Sequence, residues 1–334
     1  MSPVGPLDPA VAETRVAVRR ALAGLPEGAV VIVALSGGAD SLALAAATAF
    51  EGAKRGLRVA SVTVDHGLQD GSAEVAAAAA RQVAPLGVDP LIVRISVGTD
   101  GGPEAAAREA RYGVLADAAA DVGGAAVLVG HTLDDQAETV LLGLARGSGA
   151  ASLQGMAAES SLRGIRLLRP LLGVRRTTTR AACAAQGLVP WDDPHNADDR
   201  YTRVRVRRNV LPVLEAELGP GVAEALARTA DQLREDSEAF AEMIEETIED
   251  IVEHAEAGIS VSVGALAANP AALRHRIIRH VVASEFGTSL SRAHTLEVAR
   301  LVTDWSGQGP IDLPGCRARR IGGRIEFTAT PAAG

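Results

Sequence analysis

The sequence predicts an α/β protein: a doubly wound, mostly parallel sheet followed by a second, smaller, mostly helical domain. Three observations carry that expectation. Short β-branched runs alternate with alanine-rich helical segments through the first half of the chain. Runs such as "VVIVAL" are apolar on both faces, which suits strands covered by helices on each side. Past Pro220 the apolar residues change to three- and four-residue steps over one long stretch.

The elements follow in order. Residues 29–35 ("AVVIVAL") read as the first strand and 40–54 as the helix after it. "RVASVTV" (58–64) precedes a helix over 72–85, "DPLIVRI" (89–95) a helix over 103–121, and "AVLVG" (126–130) a helix over 132–146. After Gly147 the pattern loosens; "IRLLRPLLGV" adds one short strand and a helix near 174–187, and the loop "VPWDDPHNADDRYTR" follows. The run "GVAEALARTADQLREDSEAFAEMIEETIEDIVEHA" predicts one amphipathic helix of roughly 50 Å at about 1.5 Å per residue. A strand at "ISVSV", helices near 270–286 and 291–304 and a glycine-rich hairpin close the chain. The expected domains are 1–218 and 219–334.

A chain of 334 residues that is 47% hydrophobic can bury two cores. No stretch reaches the eighteen or so apolar residues that cross a bilayer, and the opening "MSPVGPLDPAVAETRVAVRR" has neither a basic nor an apolar leader region, so a cytoplasmic protein without a membrane partner is expected. Cys183 and Cys316 lie far apart, each without a CxxC partner, which argues against a disulfide framework, a zinc site or an iron–sulfur cluster. The net charge of −8 argues against a nucleic-acid partner only if charge is spread evenly. It is not: between Arg163 and Arg208 eleven arginines face four acids.

In an open parallel sheet ligands collect beyond the carboxyl ends of the strands. The residues there are "SGGADS", "DHGLQDGS" and "GHTLDDQ". Ser36-Gly37-Gly38-Ala39-Asp40-Ser41 lies between a strand and a helix, so backbone N–H groups and the positive helix end converge on one spot. Two glycines admit a phosphate closely, and two serine hydroxyls add donors. Asp40 stands out, because a carboxylate beside phosphates repels them unless it holds magnesium or caps the helix. The turn is neither GxxxxGK[ST] nor GxGxxG.

SGGxDS resembles the PP-loop of the ATP pyrophosphatases (adenine nucleotide alpha hydrolase-like enzymes), which split ATP between the α and β phosphates and adenylate an oxygen of their substrate. Within that superfamily the remaining motifs resemble the tRNA(Ile)-lysidine synthetase family: Asp65-His66-Gly67-Leu68, Arg111-Tyr112, Gly130-His131 followed by Asp134-Asp135-Gln136-Ala137-Glu138-Thr139, Arg146-Gly147-Ser148-Gly149 and Arg169-Pro170-Leu171-Leu172. The likeness covers about residues 30 to 215 by motif. The chain departs from the family's pattern at Thr132, where a second histidine is expected, and in Trp191-Asp192-Asp193-Pro194-His195-Asn196, where the pattern carries a serine before the asparagine. Roles belonging to that histidine or serine are therefore not carried over.

The resemblance implies ATP and Mg2+ as cofactors, and free L-lysine and a tRNA(Ile) with a CAU anticodon as partners; no protein partner is implied. It implies that the C2 oxygen of cytidine 34 attacks the α-phosphorus and that the lysine amine then displaces AMP. Ser36, Gly37, Gly38, Ala39, Asp40 and Ser41 would hold ATP, with Asp65 and His66 placed for adenine or ribose or else serving the turn. Asp40, Arg111, His131, Asp134, Asp135 and Glu138 are the catalytic candidates, with Asp40 and Asp135 as candidates for magnesium. Acids in a first turn also complement a helix dipole, and Arg111 and His131 also suit surface pairing and a structural role. Arg203, Arg205, Arg207 and Arg208 are the candidates for tRNA phosphates or unpaired bases, or else form a solvated charged face. Aromatic platforms look scarce, so recognition is expected to lean on arginine and shape. Competing readings are another adenylating enzyme of the superfamily and a non-catalytic nucleotide sensor.

Overall fold

A computed structural model describes residues 6–65, 67, 71–95, 103–147, 149–255 and 258–330, without the side chains of 103–108 and 255. Contacts divide the chain into two compact units, Met1–Leu233 and Arg234–Gly334. The sequence reading put the boundary earlier, at 218/219. The start of the long helix belongs with the first unit because Ala223, Leu226 and Ala227 pack on Leu133, Ala137, Val206 and Leu211.

The first unit begins with α1 (Pro9–Ala21), whose N-terminus is capped by the Asp8 carboxylate. The βα rhythm then runs β1 (Val30–Ala34), α2 (Ala39–Lys54), β2 (Arg58–Asp65), α3 (Ser72–Val83), β3 (Asp89–Arg94), α4 (Pro103–Asp121), β4 (Gly124–Leu128) and α5 (Leu133–Arg146). A short α6 (Ala150–Leu153) leads to β5 (Glu159–Leu162) and β6 (Ile165–Leu168), then α7 (Arg176–Ala185). The unit continues through α8 (Thr202–Arg205), a π-helical turn at Val206–Val210, α9 (Leu211–Leu218) and the start of α10 (Val222–Ile251).

The six strands are ordered β3-β2-β1-β4-β6-β5. All neighbours pair in parallel except β5, which runs antiparallel to β6 and escaped the sequence reading. Register is set by pairs such as Ile32↔Ala60, Ile32↔Val127 and Val62↔Leu91. β1 is buried on both faces, as its unbroken apolar run requires. Val31 and Val33 point into the core under α1, α2 and α7, while Ile32 joins Val62, Leu115, Ala119 and Val127 under α4. The strand order reverses between β1 and β4, and that is where a crevice opens beyond the strand ends.

In the second unit α10 ends at Ile251, and the last residues of the expected helix form β7 (Val252–Ala255), paired with β8 (Gly258–Ser262). Then come α11 (Val263–Ala268), α12 (Ala271–Phe286), α13 (Arg292–Thr303), β9 (Ile311–Leu313), β10 (Cys316–Ile321) and β11 (Arg324–Ala329). The strands form one antiparallel sheet, β7-β8-β11-β10-β9, over a core of Leu266, Ile277, Ile278, Val298 and Phe327. α12, α13 and the hairpin match the reading, while α11 was not expected. The joining of β8 to β11 does not show in local pattern, because it is a long-range pairing. Both cysteines are free and buried, and among the described residues no helix is long and apolar enough to cross a membrane.

Candidate active site

The turn after β1 is held by its own hydroxyls. Ser41 Oγ accepts from the Ser36 N–H at 3.2 Å and from Ser36 Oγ at 3.1 Å, and donates to the Gly38 carbonyl at 2.9 Å. Gly37 has φ of +85°, a conformation that only glycine adopts without strain. Gly38 occupies the N-cap of α2 and supplies no side-chain acceptor, so the first-turn amides are left for a ligand. At the end of β4, Gly130 lies so close to this turn that a Cβ would sit 3.1 Å from the Asp40 carbonyl carbon and oxygen. Trp191 ties the far loop to the same place, its N–H donating to the Gly37 carbonyl at 2.9 Å. Between these elements lies a cleft of about 830 Å³.

The floor beside the turn is a network of carboxylates and arginines. The Arg176 guanidinium stands between three acids, at 3.5 Å from Asp40, 2.9 Å from Asp135 and 3.3 Å from Glu138. Glu138 is fully buried and also receives Arg203 Nε at 2.8 Å and Arg207 Nε at 2.7 Å. Asp135 accepts from the N–H and the hydroxyl of Thr132, at 2.9 and 2.8 Å, and so caps α5. Asp134 takes the Arg176 N–H at 2.8 Å and faces Arg175 at 3.5 Å. Thr179 donates its hydroxyl to Asp40.

These contacts set the charge states. Burial dominates at Asp40 and holds its carboxyl above the ordinary range, with Thr179 and Arg176 offsetting only part. Burial would also raise Asp135, but Arg176, the Thr132 donors and Arg203 outweigh it and hold that carboxyl below the ordinary range. Desolvation opposes the charge on Arg176, yet Asp135, Glu138, Asp40 and Asp134 raise its pKa overall. Beneath the turn, burial pushes the Cys183 thiol up to about 11, with the Asp40 charge adding to it, so the thiol stays protonated.

Residues 13–214 match the family description "PP-loop domain", and residues 262–325 match "TilS substrate binding domain". A tRNA(Ile)-lysidine synthase of Leifsonia xyli is 60% identical over 305 residues, covering 91% of each chain. A tRNA(Ile)-lysidine synthase of Thermobifida fusca is 50% identical over 325 residues, covering 96% of this chain and 98% of that one. The chain belongs to the tRNA(Ile)-lysidine synthase family. Among solved structures, the U34-tRNA thiolase NcsA of Methanococcus maripaludis shares the fold, with a TM-score of 0.58, 19% identity and coverage of 68% of this chain and 79% of that one.

In this member of the lysidine synthase family, one cleft gathers Ser36, Gly38, Ala39, Asp40, Ser41, Asp65, Arg111, His131, Asp135 and Arg207. Gly37 shapes the turn from behind. Asp65, buried at the end of β2, accepts from the Gly67 N–H at 3.0 Å. His66 lies outside the described residues. Asp134 and Glu138 do not line the cleft; they anchor arginines beside it. The four arginines expected at RNA divide by face. Arg203 and Arg207 turn inward to Glu138, whereas the exposed Arg205 and Arg208 donate to the carbonyls of Asp199 and Ala197, both at 2.7 Å. Thr132, at a point of departure from the family pattern, is fully buried and completes the α5 cap.

Sequence reasoning missed Arg176, Thr179, Trp191 and His195. The doublet Arg175-Arg176 opening a predicted helix was visible, but only folding shows that one guanidinium meets three acids from two other elements. No group of three or more histidine, cysteine or acidic residues is set to hold a metal ion among the described residues. Magnesium needs only one or two carboxylates when phosphates and water complete its shell. Asp40 fits that need, since its charge is under-compensated by its surroundings, whereas Asp135 is committed to Arg176 and Thr132.

Proposed function

We propose that this chain joins free lysine to C2 of cytidine 34 in the CAU anticodon of a tRNA(Ile), through an adenylated cytidine, in the cytoplasm. The observation that carries the reading is the fixed turn whose first amides meet no side-chain cap, opening on a large cleft beside the half-buried Asp40 carboxylate. The amides of Gly38 to Ser41 and the hydroxyls of Ser36 and Ser41 hold the β and γ phosphates of ATP. Asp40 would hold Mg2+, which neutralises charge on the phosphates. The exposed Arg111, at the cleft edge, stabilises charge that develops as pyrophosphate departs.

The C2 oxygen of cytidine attacks the α-phosphorus, the bond to pyrophosphate breaks, and AMP remains on the base. The lysine ε-amine, its proton released to water, then adds at C2, the C2–O bond breaks and AMP leaves with the oxygen. Asp135, ionised and at the cleft wall, holds Arg176 in place beside Asp40. The product reads AUA in place of AUG. No covalent enzyme intermediate is needed, so fixed charges and positioning carry the rate.

The test is incubation with ATP, magnesium, labelled lysine and a CAU-anticodon tRNA(Ile) transcript. Label in the RNA that requires both ATP and cytidine 34, with one pyrophosphate released per lysine, is the expected result. Pyrophosphate release with a different acceptor, or ATP binding without cleavage, would refute the proposal.

A further inference from the structure

Aromatic side chains are scarce in this chain: four Phe, two Tyr and two Trp in 334 residues. Tyr112 and Trp191 nevertheless line one cleft, and Tyr201 stands edge-on to His195, which lines it too, with ring centroids 6.4 Å apart and planes at 84°. Tyr112 packs in part against the core under α4, whereas Trp191 and Tyr201 are half-buried and His195 is exposed, so the rings of this loop are not there to fill a core. Few as the rings are, the fold brings Tyr112, Trp191 and His195 to one cleft.

The loop that presents His195 is braced from both ends. Trp191 is tied to Gly37, and the His195 N–H donates to Asp193 Oδ1 at 2.9 Å. Asp193 Oδ1 also lies 3.4 Å from His195 Nδ1. Downstream, Arg205 holds the carbonyls of Asp199 and Arg200 at 2.7 and 3.0 Å, and Arg208 holds that of Ala197 at 2.7 Å. A loop tied by this many bonds loses little freedom when a ligand arrives.

We propose that His195, backed by Tyr201, is a base-stacking residue that receives an unpaired base of the RNA acceptor in the cleft. The inference rests on the ligase reading for the identity of the RNA. The phosphate turn fixes where ATP sits, and the imidazole stands on the separate Trp191–Tyr201 loop. An unpaired base presents a π-face that stacks on imidazole or phenol rings irrespective of sequence.

The experiment measures binding of a fluorescently labelled CAU anticodon stem-loop by anisotropy, alongside the KM for ATP. His195→Ala is expected to weaken stem-loop binding by roughly ten-fold or more, the range of one lost base–aromatic stack. The KM for ATP stays within about two-fold and, because the side chain is exposed, the melting temperature stays within about 2 °C. His195→Phe restores binding to within about three-fold, since it keeps the ring face. Unchanged stem-loop affinity in His195→Ala, an ATP KM that moves as much as the RNA affinity, or rescue by His195→Gln in place of Phe would each overturn the stacking role. Binding separates this proposal from the ligase reading. A protein that binds the stem-loop through His195 but transfers no lysine refutes only the ligase, and one that ligates lysine while its His195→Ala variant binds the stem-loop as tightly as the wild type refutes only the stack.

Discussion

Replacing Glu138 tests whether its carboxylate reacts or anchors. It is fully buried and accepts from Arg207 Nε at 2.7 Å, Arg203 Nε at 2.8 Å, Arg207 Nη2 at 3.1 Å and Arg176 Nη1 at 3.3 Å. Removing one partner of a buried ion pair costs about 3–5 kcal/mol, because the other charge is left without compensation. Here the three arginines keep 18%, 34% and 26% of their side-chain surface exposed and can partly rehydrate, which places Glu138→Ala near the lower end, about 3 kcal/mol. At roughly 2–4 °C per kcal/mol for a unit of this size, the first transition in calorimetry should fall by about 6–12 °C. Glu138→Gln keeps one acceptor oxygen and should lose about two-thirds as much. As a control, Asp117→Asn breaks only the exposed pair with Arg163 and should move the transition by less than about 2 °C. A Glu138→Gln protein that melts with the wild type but no longer ligates would refute the anchoring argument and make Glu138 a reacting group.

At Asp40 the raised folded pKa means the native state holds its proton more tightly than the unfolded chain. That stabilisation is present below the ordinary carboxyl range and is lost as pH rises through the raised value. Asp40→Asn should therefore leave stability at pH 7 unchanged or higher by about 1 kcal/mol in urea titration, while lysine transfer falls by about a hundred-fold or more; a clear loss of stability would contradict this. Glu215 accepts from the N–H groups of Ala223, Gly221 and Val222 and from Arg175, and the Ala223 bond leads in depressing its pKa to about 2. Its contribution is present above the ordinary carboxylate pKa and is lost as pH falls towards about 2. Glu215→Gln should lower the urea midpoint at pH 7 but show a shallower decline between about pH 4.5 and pH 2 than the wild type; parallel declines would exclude that role. Gly130→Ala places a methyl 3.1 Å from the Asp40 backbone, and the turn must shift. The KM for ATP should rise by about ten-fold or more with a cost of about 1–3 kcal/mol in stability, and an unperturbed KM would show that the turn tolerates the displacement.

Much of the site was legible without coordinates, for a local reason. The strand runs, the two glycines of the turn and the acids opening α5 are set by short-range pattern, and a strand-to-helix turn has few ways to point its amides. The β1–α2 and β4–α5 junctions were therefore placed at one sheet edge from sequence alone. What the arginines do was not legible. Arg203, Arg205, Arg207 and Arg208 look alike along the chain, yet Arg203 on α8 and Arg207 on the π-helical turn after it reach a buried Glu138, while Arg205 and Arg208 brace a loop. Pairing across 65 and 69 residues of chain is chosen by packing and desolvation, which leave no periodic trace. The same holds for the edge strand β5, for the sheet that closes the second unit, and for the rings around His195. Composition and pattern determined that a glycine-rich strand-to-helix turn exists and where it lies; the tertiary fold alone decided which charges surround it, because that depends on which distant groups burial forces together.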